Sequence, residues 1–307
     1  MKVVFFGSPE FAVPSLRALV GEGFDVLAVV TQPDRPLGRS RSEAVQTPVR
    51  VAAEAEGLDV LTPERPNDPD FVRALRALDP DVGVVVAYGH ILSVELLAVP
   101  RRGMVNVHPS LLPALRGAAP IEWAILQGLE TTGVTIMLMD AGLDSGPILH
   151  QLPHRIATGT TAGELRGHLA EMGAQALIEA LALWEQDGLK PVPQNSAQAT
   201  YAPKLTRELA RIDWLKPADH VARQTLALDP RPGAWTEVAG REVKLFEGRA
   251  IPGGGSPGEV VQADSRLLIA AGSGVVEVEE VQPAGKGRMP AADWIRGRGT
   301  AIGQRFE

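Results

Sequence analysis

The 307-residue chain is 45% hydrophobic and 22% charged, enough apolar surface for a real core, and its length favours two domains over one. It contains no cysteine, which excludes disulfides, thiolate catalysis and Cys-based zinc sites. A formal charge of −7 argues against a generic nucleic-acid coat, although the imbalance is local: residues 1–200 hold 15 basic and 23 acidic side chains, residues 201–307 hold 15 and 14.

Lys2–Phe6 is a short apolar run that predicts a strand covered on both faces. Gly7-Ser-Pro-Glu10 turns it into a helix carrying Phe11, Val13, Leu16, Leu19 and Val20 at helical spacing, with Ser8 as the expected N-cap. A second strand follows at Asp25–Val30. A dinucleotide fingerprint with Asp34 as the ribose-binding acid is disfavoured, because only one of its three glycines is present. The polar loop Thr31–Ser42 holds Arg35, Arg39 and Arg41 among prolines. It reads either as a solvated loop or as a phosphate-contacting arm, since a guanidinium grips phosphate oxygens in a fixed fork.

Helices are expected at Pro48–Glu56 and Asp70–Leu78, and strands at Leu58–Leu61 and Asp81–Ala87, the latter closed by Tyr88-Gly-His90. The longest apolar stretch, Val82–Val99, is too short and too polar to span a bilayer. Without a cleavage pattern after Met1-Lys-Val-Val-Phe-Phe-Gly7, the expected location is cytoplasmic. Further strands near Met104–Val107, Gly133–Met139 and Ile148–Ile156 alternate with helices at Ser93–Ala98, Ala118–Leu126 and Thr161–Trp184. This order predicts an α/β fold with an open, mostly parallel, Rossmann-like sheet over residues 1–188. Residues 189–205 lack periodicity and read as a linker. In 206–307 a helix precedes five short strands with Gly and Pro punctuation, which predicts a small C-terminal OB-like β-barrel.

Chemistry gathers at two places. Asn106 and His108 lie two apart at a strand end, so their side chains share a face, and Pro109 and Pro113 stop the strand there. Open α/β sheets collect ligands at such carboxyl ends. Asp144 sits in Gly142-Leu-Asp-Ser-Gly146, between glycines that let backbone approach a ligand. An amide, an imidazole and a carboxylate suit acyl transfer to an amine without a serine or cysteine nucleophile. Each also has a plainer reading as a turn or packing residue. His90, His150, His154, His168 and His220 lack metal-ligand spacing with suitable company, so no catalytic metal is expected.

Asn106-Val-His108, Ser110-Leu-Leu-Pro113, Arg116-Gly-Ala-Ala-Pro120 and Gly142-Leu-Asp144 together resemble the folate-dependent formyltransferases. Thr31–Arg39, Ala210-Arg-Ile-Asp-Trp214 and Gln282-Pro-Ala-Gly-Lys286 narrow the resemblance to the branch that acts on methionyl-initiator tRNA, and the match runs nearly end to end. The resemblance implies 10-formyltetrahydrofolate as co-substrate, no metal, and catalysis by Asn106, His108 and Asp144. Asn106 would donate to the tetrahedral oxyanion, and protonated His108 would assist and move the amine proton. Asp144 would orient the imidazole and raise its pKa. It further implies a folate cleft formed by Tyr88, Gly89, Ile91 and Leu92, by Asp140 and Leu143, and by Ser110, Leu111, Leu112 and Pro113.

For tRNA, Arg39 matches the family's loop arginine, with Arg35 and Arg41 beside it and Lys204, Arg207, Lys286 and Arg288 in the second domain. The loop departs from the family where it runs Ser40-Arg-Ser-Glu43 instead of through several lysines, which implies fewer phosphate contacts. Pro109 replaces a small residue and should stiffen its loop. A monomer is expected, with no membrane partner. Two rival functions stay open: a formylfolate hydrolase or other folate-dependent formyltransferase, and a non-catalytic tRNA-binding module.

Overall fold

The computed structural model describes residues 1–36, 44–186 and 188–307. In chain order the first elements are β1 (Lys2–Gly7), α1 (Val13–Gly21), β2 (Asp25–Val30), β3 (Arg35–Pro36), β4 (Ala44–Val45), α2 (Pro48–Ala55), β5 (Val60–Leu61) and α3 (Pro69–Ala77). Then come β6 (Val82–Val86), α4 (Val94–Leu97), β7 (Met104–His108), α5 (Pro120–Leu126), β8 (Thr131–Leu138), β9 (Ile148–Arg155) and α6 (Ala162–Glu185). They are followed by α7 (Arg207–Ala210), α8 (Ala218–Ala227), β10 (Ala234–Val238), β11 (Arg241–Ile251), β12 (Val260–Ala263), β13 (Leu267–Ala270), β14 (Val275–Pro283), β15 (Met289–Pro290) and α9 (Ala291–Arg296).

Contacts divide the chain into two units. The first comprises Met1–Gly117, Thr131–Arg155 and Arg166–Tyr201; the second comprises Ala118–Glu130, Ile156–Leu165 and Ala202–Glu307. Thus α5 and residues 156–165 group with the second unit, although they precede the boundary drawn from sequence.

The first unit is built on a seven-stranded sheet of order β5-β2-β1-β6-β7-β8-β9. Its first five strands are parallel, and β8 and β9 join antiparallel. The parallel strands are rich in Val, with Leu and Phe, because both faces are covered; Val3, Val4, Phe5 and Phe6 are fully buried. Two helices, α2 and α3, start where a polar cap precedes proline. Thr47 accepts from the Arg50 N–H ahead of α2, and Asp68 from the Asp70 N–H ahead of α3. Ser8 does not cap a helix. It is buried, and its hydroxyl accepts from the Gln32 N–H at 3.2 Å and donates to the Tyr88 carbonyl at 3.4 Å, tying together the ends of β1, β2 and β6. Gly173 of α6 lets that helix approach β7, since a Cβ there would lie 2.8 Å from a Val107 methyl.

The second unit centres on an antiparallel sheet of order β10-β11-β14-β13-β12, with β15 against β14. Residues 304–307 close the ring. The Glu237 and Glu307 backbones exchange hydrogen bonds on the β10 side, and the Val260 N–H donates to Gln304 on the β12 side. Phe306 thereby enters the core with Trp214, Leu245, Val260 and Ile269. The five expected strands lie in one antiparallel sheet, with the short β15 as a sixth, and its two edges are bridged by a segment too short to show periodicity. No described helix is long and apolar enough to cross a membrane.

Candidate active site

The site grows from the carboxyl end of β7. Asn106 and His108 alternate with the buried Val105 and Val107, so both project from one face of the strand. Asn106 is half-buried, and no described residue hydrogen-bonds its carboxamide. His108 is only 4% exposed. After it the chain folds into a loop stitched to the neighbouring strands. Ser110 N–H donates to the His108 carbonyl, and Thr135 Oγ1 donates to the Ser110 carbonyl at 2.6 Å and accepts from Leu112 N–H at 3.0 Å. Gln151 Nε2 donates to the Leu112 carbonyl at 2.9 Å. This loop brings the Leu115 carbonyl to 3.1 Å from His108 Nε2.

Asp144 arrives from the β8–β9 connection. Its Oδ2 lies 3.8 Å from His108 Nδ1 and accepts from the Gly117 N–H at 2.8 Å. The carboxylate and imidazole, 36 residues apart in sequence, are therefore neighbours, with both ring nitrogens facing acceptors. The Leu115 carbonyl is within hydrogen-bonding distance of Nε2 and can only accept, whereas the Asp144 carboxylate stands 3.8 Å from Nδ1, so the neutral tautomer these distances favour carries its proton on Nε2 and leaves Nδ1 as the basic nitrogen. Burial lowers the His108 pKa below the ordinary imidazole value, against the upward pull first of Asp144 and then of the Leu115 carbonyl. The sequence reading expected Asp144 to raise this pKa; it does pull that way, but desolvation of the ring is the larger influence. Desolvation thus favours the neutral ring, the form in which Nδ1 can accept a proton.

The expected folate residues fall into two groups. Ile91 is 92% exposed and Leu143 is 62% exposed, large aliphatic side chains standing in solvent at the tips of their turns. Met139 packs against the core cluster containing Tyr88 and Leu92, which brings the two turns together. Gly89 has φ +86°, and a Cβ there would meet Gln32 Nε2 at 2.5 Å. Asn67 fastens the 91–93 turn by donating to the Ile91 carbonyl and accepting from the Ser93 N–H. Asp140 accepts from the Gly142 N–H and from Ser145 Oγ, building the turn that displays Leu143. The remaining members are structural. The Tyr88 ring is 1% exposed, Leu92 and Leu112 are buried, and the Ser110 hydroxyl is spent on the Ala114 carbonyl at 2.6 Å. Leu111 and Pro113 are half-buried in the same loop. A cavity of about 390 Å³ opens beside His90. Another of about 670 Å³ lies in the second unit, where five lining carboxylates against Arg223 and Arg249 suit no anionic ligand.

The expected tRNA contacts also separate. Arg39 and Arg41 lie outside the described residues, and for Arg35 only the backbone, in β3, is described. Lys204 and Lys286 are exposed and form no ion pair with a described residue. Arg207 stacks on Trp235 at 4.4 Å and pairs with Glu242 at 2.6 Å. Arg288 bonds Asp229, Glu247 and Glu280 while covering the Phe246 ring, so its donors are committed within the fold. No group of three or more described His, Asp or Glu side chains is arranged to hold a metal ion.

Sequence reasoning missed the residues that organise the loop: Thr135, Gln151 and, in the supposed linker, Gln194 and Thr200. Their signals are single polar residues, and their partners lie 16–85 positions away.

Residues 1–181 match the family described as Formyl transferase, and residues 204–299 match Formyl transferase, C-terminal domain. The chain is 45% identical to methionyl-tRNA formyltransferase of Magnetococcus marinus over 99% of this chain and 98% of that protein. It is 46% identical to methionyl-tRNA formyltransferase of a Roseiflexus species, over 100% and 95% respectively. Among solved structures, the N-formyltransferase of Helicobacter canadensis superposes with TM-score 0.71 at 18% identity, covering 92% of this chain and 99% of that one. Aquifex aeolicus HypX gives 0.69 at 20% identity, and this chain, 98% covered, spans about half (48%) of its length. Both likenesses concern the fold. With 45–46% identity sustained over 99–100% of the chain and family matches in both domains, the chain belongs to the methionyl-tRNA formyltransferase family.

Proposed function

We propose that this protein transfers the formyl group of 10-formyltetrahydrofolate to the α-amino group of methionyl-initiator tRNA, with Asn106, His108 and Asp144 as its catalytic residues. The observation that carries this reading is the Asp144 carboxylate 3.8 Å from the buried His108 imidazole, with the unengaged Asn106 carboxamide on the same face of the strand. The amine nitrogen attacks the formyl carbon, and the carbonyl π pair moves to oxygen. Asn106 donates an N–H to that oxyanion, an interaction strongest in the transition state. His108 Nδ1 takes the proton released by the attacking nitrogen, and Asp144 stabilises the imidazolium across the 3.8 Å gap through charge. Collapse of the intermediate breaks the bond from carbon to the folate nitrogen, which leaves with the proton returned by His108. The site regains its starting charge.

Folate fits the chemistry of the cleft: Ile91 and Leu143 offer aliphatic cover for a flat ring, and the turns beneath them offer backbone donors and acceptors. For tRNA, Lys204 and Lys286 are exposed cations of the second unit without an ion pair among the described residues, assisted by the Arg35–Arg41 loop. A protein of translation acting as a monomer in the cytoplasm is the setting this reading implies.

The test is to mix the protein with 10-formyltetrahydrofolate and charged initiator tRNA. Formyl-methionyl-tRNA is the expected product. Folate release that depends on water alone would assign a hydrolase, and tRNA retention without turnover would assign a binding module.

A further inference from the structure

The segment between the two matched family domains is placed to do more than join them. Val192 pairs with Ile148 through two backbone hydrogen bonds of 2.8 Å, docking the segment on the edge of β9. From there Gln194 Nε2 donates to the carbonyls of Asp144 at 2.9 Å and Gly146 at 2.8 Å. Its Oε1 accepts from Arg116 Nη2 at 2.7 Å and Nε at 3.1 Å, so the amide is fully satisfied. Six residues on, Thr200 Oγ1 accepts from the Leu115 N–H at 2.8 Å, and the Thr200 carbonyl accepts from Arg116 N–H. Leu115 and Asp144 are the residues that face the two ring nitrogens of His108. Both hold left-handed backbone conformations, φ 60° and 48°, which non-glycine residues adopt at a cost and keep only when their surroundings impose them.

The geometry points to residues 192–200 as part of the active site, with Gln194 and Thr200 as positioning residues that set the carbonyl and carboxylate on either side of the His108 ring. Without them the two strained residues can relax, the ring loses its fixed orientation, and Nδ1 no longer presents to the attacking amine. This inference rests on the catalytic reading of His108 given above.

Two substitutions isolate it. Gln194→Glu keeps the packing and gives Arg116 a carboxylate, but sets acceptors against the Asp144 and Gly146 carbonyls. Thr200→Val keeps the shape and removes only the acceptor for Leu115. Each should lower kcat by about tenfold to a hundredfold while leaving KM for folate and tRNA within about threefold. Each should also displace the acid limb of the pH–kcat profile, and Thr200→Ser should restore both quantities. Wild-type kcat and pH profile in both variants would overturn the inference, as would a loss confined to KM for tRNA.

A third measurement needs no variant. In the wild-type protein the Leu115 amide should be strongly protected from hydrogen exchange, and exchange at the rate of an unstructured peptide would refute the assignment. Full turnover in His108→Ala would overturn the catalytic reading and this inference together. An inactive His108→Ala beside unimpaired segment variants would overturn this inference alone.

Discussion

His108 shows how burial and charge compete over one proton. In the folded chain its pKa lies below the ordinary imidazole value, chiefly through desolvation. Below that ordinary value the unfolded chain binds a proton that the native site refuses, so stability falls as pH drops through the range and is level above it. Melting wild type and His108→Gln at about pH 8 and about pH 5.5 should show the larger acid loss in wild type, because only there does this term exist. Tyr88 makes a complementary case. Its hydroxyl is buried without a hydrogen-bond partner among the described residues, and burial pushes its pKa up to about 12. Tyr88→Phe should therefore leave the melting temperature unchanged or raise stability by up to ~1 kcal/mol, since a stranded hydroxyl contributes nothing to lose. A clear destabilisation on calorimetry would mean that the hydroxyl has an unseen partner.

At the scale of elements, the sequence was informative where periodicity is long or alternation strict. The Val-rich β6, the long amphipathic α6 and the Asn106–His108 pairing on β7 follow from spacing alone. The approach of Asp144 does not, because a turn residue carries no record of what lies 36 positions earlier; family resemblance was needed to put it beside His108. Ser8 misled for the opposite reason: it has a cap-like neighbourhood, yet three strand ends compete for its hydroxyl and win. Gln194 was illegible because its partners sit 48 to 78 positions away and the intervening chain is aperiodic.

The glycine at position 146 was expected to give a ligand room. Instead it gives the chain room for itself, since a Cβ would lie 1.8 Å from the Leu138 carbonyl oxygen. Gly146→Ala should displace the Asp144 turn, costing roughly 1–3 kcal/mol of stability and lowering kcat. Thermal melts and turnover at a permissive temperature would register both effects, and wild-type values in both would contradict the placement of this turn.

For the whole molecule the question is which cations serve the fold and which serve a polyanion. Composition could show only that residues 201–307 are nearly charge-balanced; pairing in the structure divides them. Arg288 is held by three carboxylates, among them the buried Asp229, so Arg288→Ala strands charge inside the unit. It should cost roughly 1–3 kcal/mol of stability, less than a fully buried pair because the guanidinium is partly exposed. It should leave the salt dependence of tRNA binding unaltered. Lys286→Ala and Lys204→Ala should behave inversely, sparing stability while each lowers the slope of log affinity against log salt by about 1. Binding titrations across ionic strength, run beside melts, separate the two classes, and an exchange of roles would refute this partition.

Formyl transfer in this site depends on His108 acting as the base beside an oxyanion held by Asn106. The most direct measurement is the single-turnover rate of formylation of charged initiator tRNA at saturating folate by Asn106→Ala and His108→Ala. Both should bind the two substrates as wild type does and transfer the formyl group about 10²–10³ times more slowly. Wild-type single-turnover rates in either variant would contradict it.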